Sequence, residues 1–151
     1  VIYLLALLYL LFLKGISLRR VNIEAIEEYG FWQFIEFGIN LVPFRTISDY
    51  IECMDPISIN SIHDFAFQNL IGNMILFVPM GVFLPYFSQK QRKFLKFLIT
   101  AFIIILCVEI MQLVTLLGVC DIDDLLLNLI GCCIGFGFFY LIKPILLQKN
   151  N

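Results

Sequence analysis

The sequence predicts an all-α fold: an integral membrane bundle of about four transmembrane helices, with one extracytoplasmic loop that contains interfacial helix. Composition is the first reason. The 151 residues are 61% hydrophobic and 15% charged, whereas soluble domains run at about 45–50% apolar and about 25% charged. The second is the length of the uncharged stretches, which run from Phe65 to Phe87, from Phe97 to Val108 and from Leu125 to Ile142; a bilayer-spanning helix needs about 17–25 mainly apolar residues. The third is the placement of the charges, which are sorted by sign along the chain.

The chain reads as a single domain over 1–151, with no internal repeat or low-complexity segment. Its first apolar stretch, VIYLLALLYLLFL at 1–13, ends at Lys14. That is short for a span, so the first helix is expected to begin upstream or to be trimmed. No basic region and no small-residue cleavage site flank it, so it reads as a membrane anchor and not as a cleaved signal. The other spans are placed at about 65–87, 94–117 and 124–143, and the third of these reaches full length by carrying Glu109 within it. Between the first two lies a loop, 14–64. Its run RRVNIEAIEEYGFWQFIEFGINLVPF sets Trp32 and several Phe and Ile residues among acids at helix-like spacing before a breaker at Pro43, a pattern suited to the headgroup level. Within 65–87, Pro79 removes a backbone donor, so a kink is expected near Ile75 to Pro79.

Lys90, Arg92, Lys93 and Lys96 crowd the link 88–96 with no acid among them, and short basic loops stay cytoplasmic. This orientation places 88–96 and the C-terminus inside, and the loops 14–64 and 118–124 outside. All 12 acids then fall in the outer half. Lys14, Arg19 and Arg20 oppose the assignment, but the denser basic link outweighs them. The same rule accounts for the basic cluster without nucleic acid. The five cysteines show no zinc spacing; Cys53 and Cys120 both fall outside and could pair.

Polar residues within the spans are the functional signal. Asn69 and Asn73 share one helix face at i, i+4, and Glu109 and Gln112 share another at i, i+3. A carboxylate inside a span is costly, about 2.5–3.5 kcal/mol at the centre, so Glu109 is expected to face other helices or water. Asn128, Gly131 and Gly135 follow one stripe, and small residues there let a neighbouring helix approach closely. Asp121, Asp123 and Asp124 open the last span, where capping and the helix dipole explain one or two acids but not all three. Asn69, Asn73, Glu109, Gln112, Asp121, Asp123, Asp124 and Asn128 are therefore expected to converge in the outer third of the bundle as a ligand-binding site. Glu109 and Asp124 are the candidate acid/base residues. No cofactor is required, although Asp121, Asp123 and Asp124 are weak candidates for holding a divalent cation. His63 and Asp64 border the same end.

NLVPF at 40–44, NLIGNMILFVPMGVFLP at 69–85, VEIMQ at 108–112 and DIDDLLLNLIGCCIG at 121–135 together resemble the VanZ-like family of bacterial membrane proteins. By this resemblance the motif residues are Asn40, Pro43, Phe44, Asn69, Asn73, Phe77, Pro79, Gly81, Glu109, Gln112, Asp121, Asp124, Asn128, Gly131 and Gly135. One departure is the stretch TLLGVC before the aspartates, which lacks the base many relatives carry; either Arg45 substitutes for it or the function differs. The resemblance implies a multi-pass protein of the bacterial cytoplasmic membrane whose namesake raises resistance to teicoplanin, a lipid-tailed glycopeptide that acts outside the membrane. Two functions follow as expectations. One is a non-enzymatic protein that binds a membrane lipid, a lipid-linked wall precursor or a lipoglycopeptide. The other is an enzyme that modifies a lipid or wall precursor through Glu109 and the aspartates. A structural or regulatory partner of another membrane protein is a third.

Overall fold

The computed structural model describes residues 2–13, 16–52 and 60–148. Helix α1 (Ile2–Leu8) runs on into a π-helical turn at Tyr9–Leu13, and α2 (Ile16–Tyr29), α3 (Phe31–Phe37) and α4 (Arg45–Glu52) make up the described part of the long loop. Three long helices follow, α5 (Asn60–Phe87), α6 (Phe94–Val114) and α7 (Ile122–Gln148), with a 3-10 turn at Gln89–Arg92 between α5 and α6. Among the described residues are also two minimal strands, β1 (Ile39–Asn40) and β2 (Cys120–Asp121). They pair in parallel, Ile39 with Cys120 and Asn40 with Asp121, a contact that the all-α expectation did not include.

Among the described residues, two helices are long and apolar enough to cross a membrane, Phe94–Val114 and Ile122–Ile145; Ile2–Phe12 and Ile71–Phe87 are shorter apolar helices. The four spans expected from the sequence are thus matched by two helices that meet the criterion. On α6 only 28% of the apolar window is covered by the rest of the chain. Leu95, Ile99, Ile103, Ile110 and Val114 lie exposed along one side, while Phe97, Ala101, Ile105, Glu109 and Leu113 recur every fourth residue on the buried side. A helix whose uncovered face is this apolar suits hydrocarbon rather than water. Glu109 belongs to the covered stripe, which agrees with the cost of presenting a carboxylate to lipid.

The core is the seam between α5 and α7. A Cβ on Gly131 would collide with the carbonyl of Met74, one on Gly135 with that of Val78, and one on Gly81 with that of Cys132. Glycine at all three positions lets the two backbones touch and brings Cα–H groups onto carbonyl oxygens. Phe77, Met80, Leu125 and Cys132 fill the seam, with Phe97, Ala101 and Ile105 of α6 and Leu7 and Leu11 of the first helix closing the cluster.

Helix α5 passes through Pro79 and Pro85 without interruption, so the proline expected to mark a kink does not break the helix. Neighbours serve the carbonyls just before it: Tyr3 Oη donates to Leu76 O at 3.1 Å and Cys132 Sγ to Phe77 O at 3.6 Å. The carbonyl that Pro79 leaves without its helical amide is that of Ile75, four residues earlier, and the two carbonyls after it are the ones that gain these side-chain donors. In the long loop, the helical run breaks at Gly30, φ 92°, ahead of the expected break at Pro43. The basic link is pinned to α7, with Tyr140 Oη donating to Arg92 O at 2.6 Å and the Arg92 guanidinium 5.9 Å from the Phe139 ring centroid.

Gly135→Val should force α5 and α7 apart and lower stability by about 1–3 kcal/mol or more, read as a fall in melting temperature and loss of monodispersity in detergent. A Cβ at Gly72 or Gly137 meets nothing within 4 Å, so Gly72→Ala and Gly137→Ala should leave stability unchanged or raise it slightly. Equal effects at Gly135 and Gly137 would contradict the seam.

Candidate functional site

Consecutive helical residues project about 100° apart, so Asp121, Asp123 and Asp124 cannot all aim at one point. The structure divides them. Asp121 precedes α7 and caps it: Oδ1 accepts from the Asp123 amide at 2.8 Å, the bond an N-cap makes to the second helical amide. The same carboxylate holds the loop after β1, accepting from Asn40 Nδ2 at 3.3 Å and Thr46 Oγ1 at 2.5 Å. Asn40 in turn donates to Thr46 Oγ1 at 3.0 Å and accepts from the Val42 amide at 3.3 Å.

Asp123 is fully buried and caps a different helix. Its Oδ1 accepts from the Phe44 amide at 2.6 Å and its Oδ2 from the Ile47 amide at 3.2 Å. These are free donors at the start of α4, and a carboxylate there also complements the helix dipole. Phe44 has φ 66°, a conformation costing a non-glycine residue about 1–3 kcal/mol, which persists only where the surroundings impose it. Asp121 and Asp123 thus form a latch on residues 40–47, with both Asp123 oxygens occupied.

Asp124 points elsewhere, accepting from Asn73 Nδ2 of α5 at 2.6 Å. One turn further along α7, Asn128 Nδ2 donates to Glu109 Oε1 of α6 at 3.4 Å. Two amide–carboxylate pairs from three helices therefore stand side by side. Glu109 and Asn128 are each 2% exposed, yet Glu109 Oε2 and Asn128 Oδ1 have no hydrogen-bond partner among the described residues. An unmet buried acceptor costs about 1–3 kcal/mol.

Of the eight residues expected to converge, the structure brings together Asn73, Glu109, Asp124 and Asn128. Gln112 is turned toward the first helix, where its Nε2 donates to Leu11 O in the π-helical turn at 3.0 Å. A π turn leaves carbonyls poorly served, and Gln112 meets one. Asn69 lies one helical turn before Asn73, but its side chain, like those of His63 and Asp64, lies outside the described residues, as does Cys53 of the suggested pair with Cys120. Among the described residues no group of three or more His, Cys, Asp or Glu is placed to hold a metal ion, so Asp121, Asp123 and Asp124 do not form a common cation cage. Thr46 and the α4 amides were missed by sequence reasoning; a Thr beside a motif gives no sign that it will meet an aspartate 75 positions away.

Among the described residues no basic side chain pairs with these acids. Arg45 is exposed, and among the described side chains the ion pair found is the surface contact Arg20–Glu24; Arg45 does not take the place of the base missing before the aspartate block. The resulting negative field reaches Cys120, whose thiol is pushed above its ordinary range by burial first and then by the charges of Glu109 and Asp121.

A family model described as VanZ/LLP1 matches residues 1–143. The chain is also similar to Protein VanZ of Enterococcus faecium, 25% identical over 143 residues that cover 95% of this chain and 76% of the relative. No solved structure matches.

Asp123→Ala should cost about 1–2 kcal/mol at α4 and speed hydrogen exchange at the Phe44 and Ile47 amides by about 5–30-fold, with α7 unaffected. In a variant retaining Cys120 as its sole cysteine, the reactive species is the thiolate. A raised pKa means less thiolate at a given pH, so alkylation should accelerate at higher pH than in the unfolded chain. Glu109→Gln removes one of the charges responsible and should move that profile back toward lower pH; an unmoved profile would place Glu109 too far away to act.

Proposed function

This chain belongs to the VanZ/LLP1 family, and from that premise we propose that it is a multi-pass membrane protein that binds a lipid-linked or lipid-tailed ligand through Asn73, Glu109, Asp124 and Asn128. By this binding it limits access of lipid-tailed glycopeptides such as teicoplanin to the cell envelope. The observation that carries the reading is the buried Glu109–Asn128 pair, which keeps two unmet acceptor oxygens within a bundle whose outer surface is apolar. Buried polar groups without partners are uncommon in folded proteins and concentrate where a ligand, a proton or water completes them. The four residues sit on α5, α6 and α7 at the end where β1 meets β2, away from the basic link at Lys90 to Lys96. The positive-inside rule makes that end extracytoplasmic.

In this reading the latch of Asp121 and Asp123 is scaffold. It holds 40–47 over the start of α7 and leaves Asp124 and its neighbours to the ligand. The apolar residues Leu41, Val42 and Phe44 are exposed on that loop, a surface that suits the tail of a ligand with both headgroup and tail.

A second reading, an enzyme acting on a lipid or wall precursor, draws on Glu109 and Asp124 lying within electrostatic reach of one another. Two carboxyl groups in different settings can divide acid and base roles.

Expressed in a teicoplanin-susceptible bacterium, the wild-type chain should raise the inhibitory concentration, and Asn73→Ala, Asp124→Asn and Asn128→Leu should each return it to the empty-vector level at unchanged membrane abundance. Gly72→Ala serves as the neutral control. Loss of protection only in step with loss of protein would reduce the four residues to scaffold. Altered lipid or precursor profiles that depend on Glu109 and Asp124 would decide for the enzyme.

A further inference from the structure

The four polar side chains are unevenly supplied with donors and acceptors. Asn73 Nδ2 donates to Asp124 and Asn128 Nδ2 to Glu109, so one N–H of each amide is engaged. Two acceptors go unmet: Glu109 Oε2 and Asn128 Oδ1, each on a residue 2% exposed, have no partner among the described residues. Charge is uneven in the same sense. Asp121 and Asp124 act on Glu109 as like charges, and no described Lys or Arg side chain forms an ion pair with any of the three. A phosphate would bring its own negative charge beside carboxylates that no described cation offsets. A bare metal ion would need several converging ligands, and no such group is found among the described residues.

We propose that the group accepted between Glu109 and Asn128 is a protonated amine carrying N–H donors. The inference rests on the ligand-binding reading above and narrows it to one headgroup chemistry. An ammonium has three donors and no acceptor; two would meet Glu109 Oε2 and Asn128 Oδ1, and its charge would offset the carboxylates. Hydrogen bonds between ionised partners are the shorter and stronger kind. A quaternary ammonium offers the charge without the donors, which makes it the discriminating probe. The amine could belong to a phospholipid headgroup or to a lipid-tailed ligand without an adjoining phosphate; the chemistry at Glu109 is common to both.

The test uses the full chain in phosphatidylcholine nanodiscs, titrated calorimetrically with dodecylamine, dodecyltrimethylammonium, dodecyl phosphate and, separately, magnesium. Dodecylamine should bind saturably and at least about tenfold more tightly than the other two amphiphiles, a difference of about 1.4 kcal/mol. Glu109→Gln and Asn128→Leu should each erase that preference, and Gly72→Ala should keep it. If either variant fails to fold, the wild-type melting temperature serves instead: it should rise with dodecylamine and not with dodecyl phosphate. Competition by short-chain phosphatidylethanolamine would assign the amine to a phospholipid headgroup, and its failure to compete would assign it to a ligand lacking the phosphate. Equal or tighter binding of dodecyl phosphate that Asn128→Leu abolishes would overturn the amine while keeping the ligand site. Saturable magnesium binding that Glu109→Gln removes would overturn it in favour of a metal. Absence of saturable binding by all probes would overturn both the inference and the reading beneath it.

Discussion

The rest of the molecule depends on the backbone contact between α5 and α7. Three glycines, Gly81, Gly131 and Gly135, admit carbonyls of the opposite helix where any Cβ would collide. In an apolar solvent there is little hydrophobic force to drive helices together, so close packing and weak Cα–H contacts must do so. This seam also sets what lies beside it. Asn73 precedes Met74, whose carbonyl rests on Gly131, and the same approach brings Asp124 to within a hydrogen bond of Asn73. A bulkier residue at 131 would therefore disturb the polar pair as well as the packing.

Helix α6 joins this pair through one stripe. Phe97, Ala101, Ile105 and Glu109 repeat every fourth residue on its covered face, so the rotation that buries the phenyl ring and the small alanine also delivers the carboxylate to Asn128. Toward the basic link the stripe is closed by aromatic stacking, with the Phe97 and Phe136 rings 4.5 Å apart. At its other end the helix finishes in a turn with Leu116 at φ 60°, where the Leu117 and Leu116 amides return to the carbonyls of Gln112 and Leu113. That reversal, of the kind usually made with glycine, redirects the chain into β2 and so into the aspartate block.

The aspartates then show how one short motif serves two ends. Asp121 and Asp123 are spent on geometry, one capping its own helix and the other capping α4 across the loop. Their burial is tolerable because most of their lone pairs are met by amides and hydroxyls. Asp124, one position on, faces α5. Neighbouring carboxylates with such different surroundings cannot be expected to respond alike to substitution: loss at 123 releases a loop, whereas loss at 124 removes a group from the polar pairs.

Much was legible in the sequence because it depends on order alone. The apolar runs, the basic link, the small-residue stripe at Asn128, Gly131 and Gly135, and the helix faces shared by Asn69 with Asn73 and by Glu109 with Gln112 follow from composition and the 3.6-residue period. The helical loop was legible too, although its helical run broke first at Gly30, whose φ of 92° takes the chain out of the helical region, and not at Pro43. Only the tertiary structure decided which partner each polar group takes. Gln112 shares a face with Glu109 but lies a turn further on, level with the first helix, and therefore bonds Leu11. Asp121 meets Thr46 because β1 and β2 pair across 81 positions of chain. Helical periodicity determines the direction a side chain leaves its own axis; what it meets depends on how close, and at what rotation, another axis lies, and in this chain the glycines set that distance.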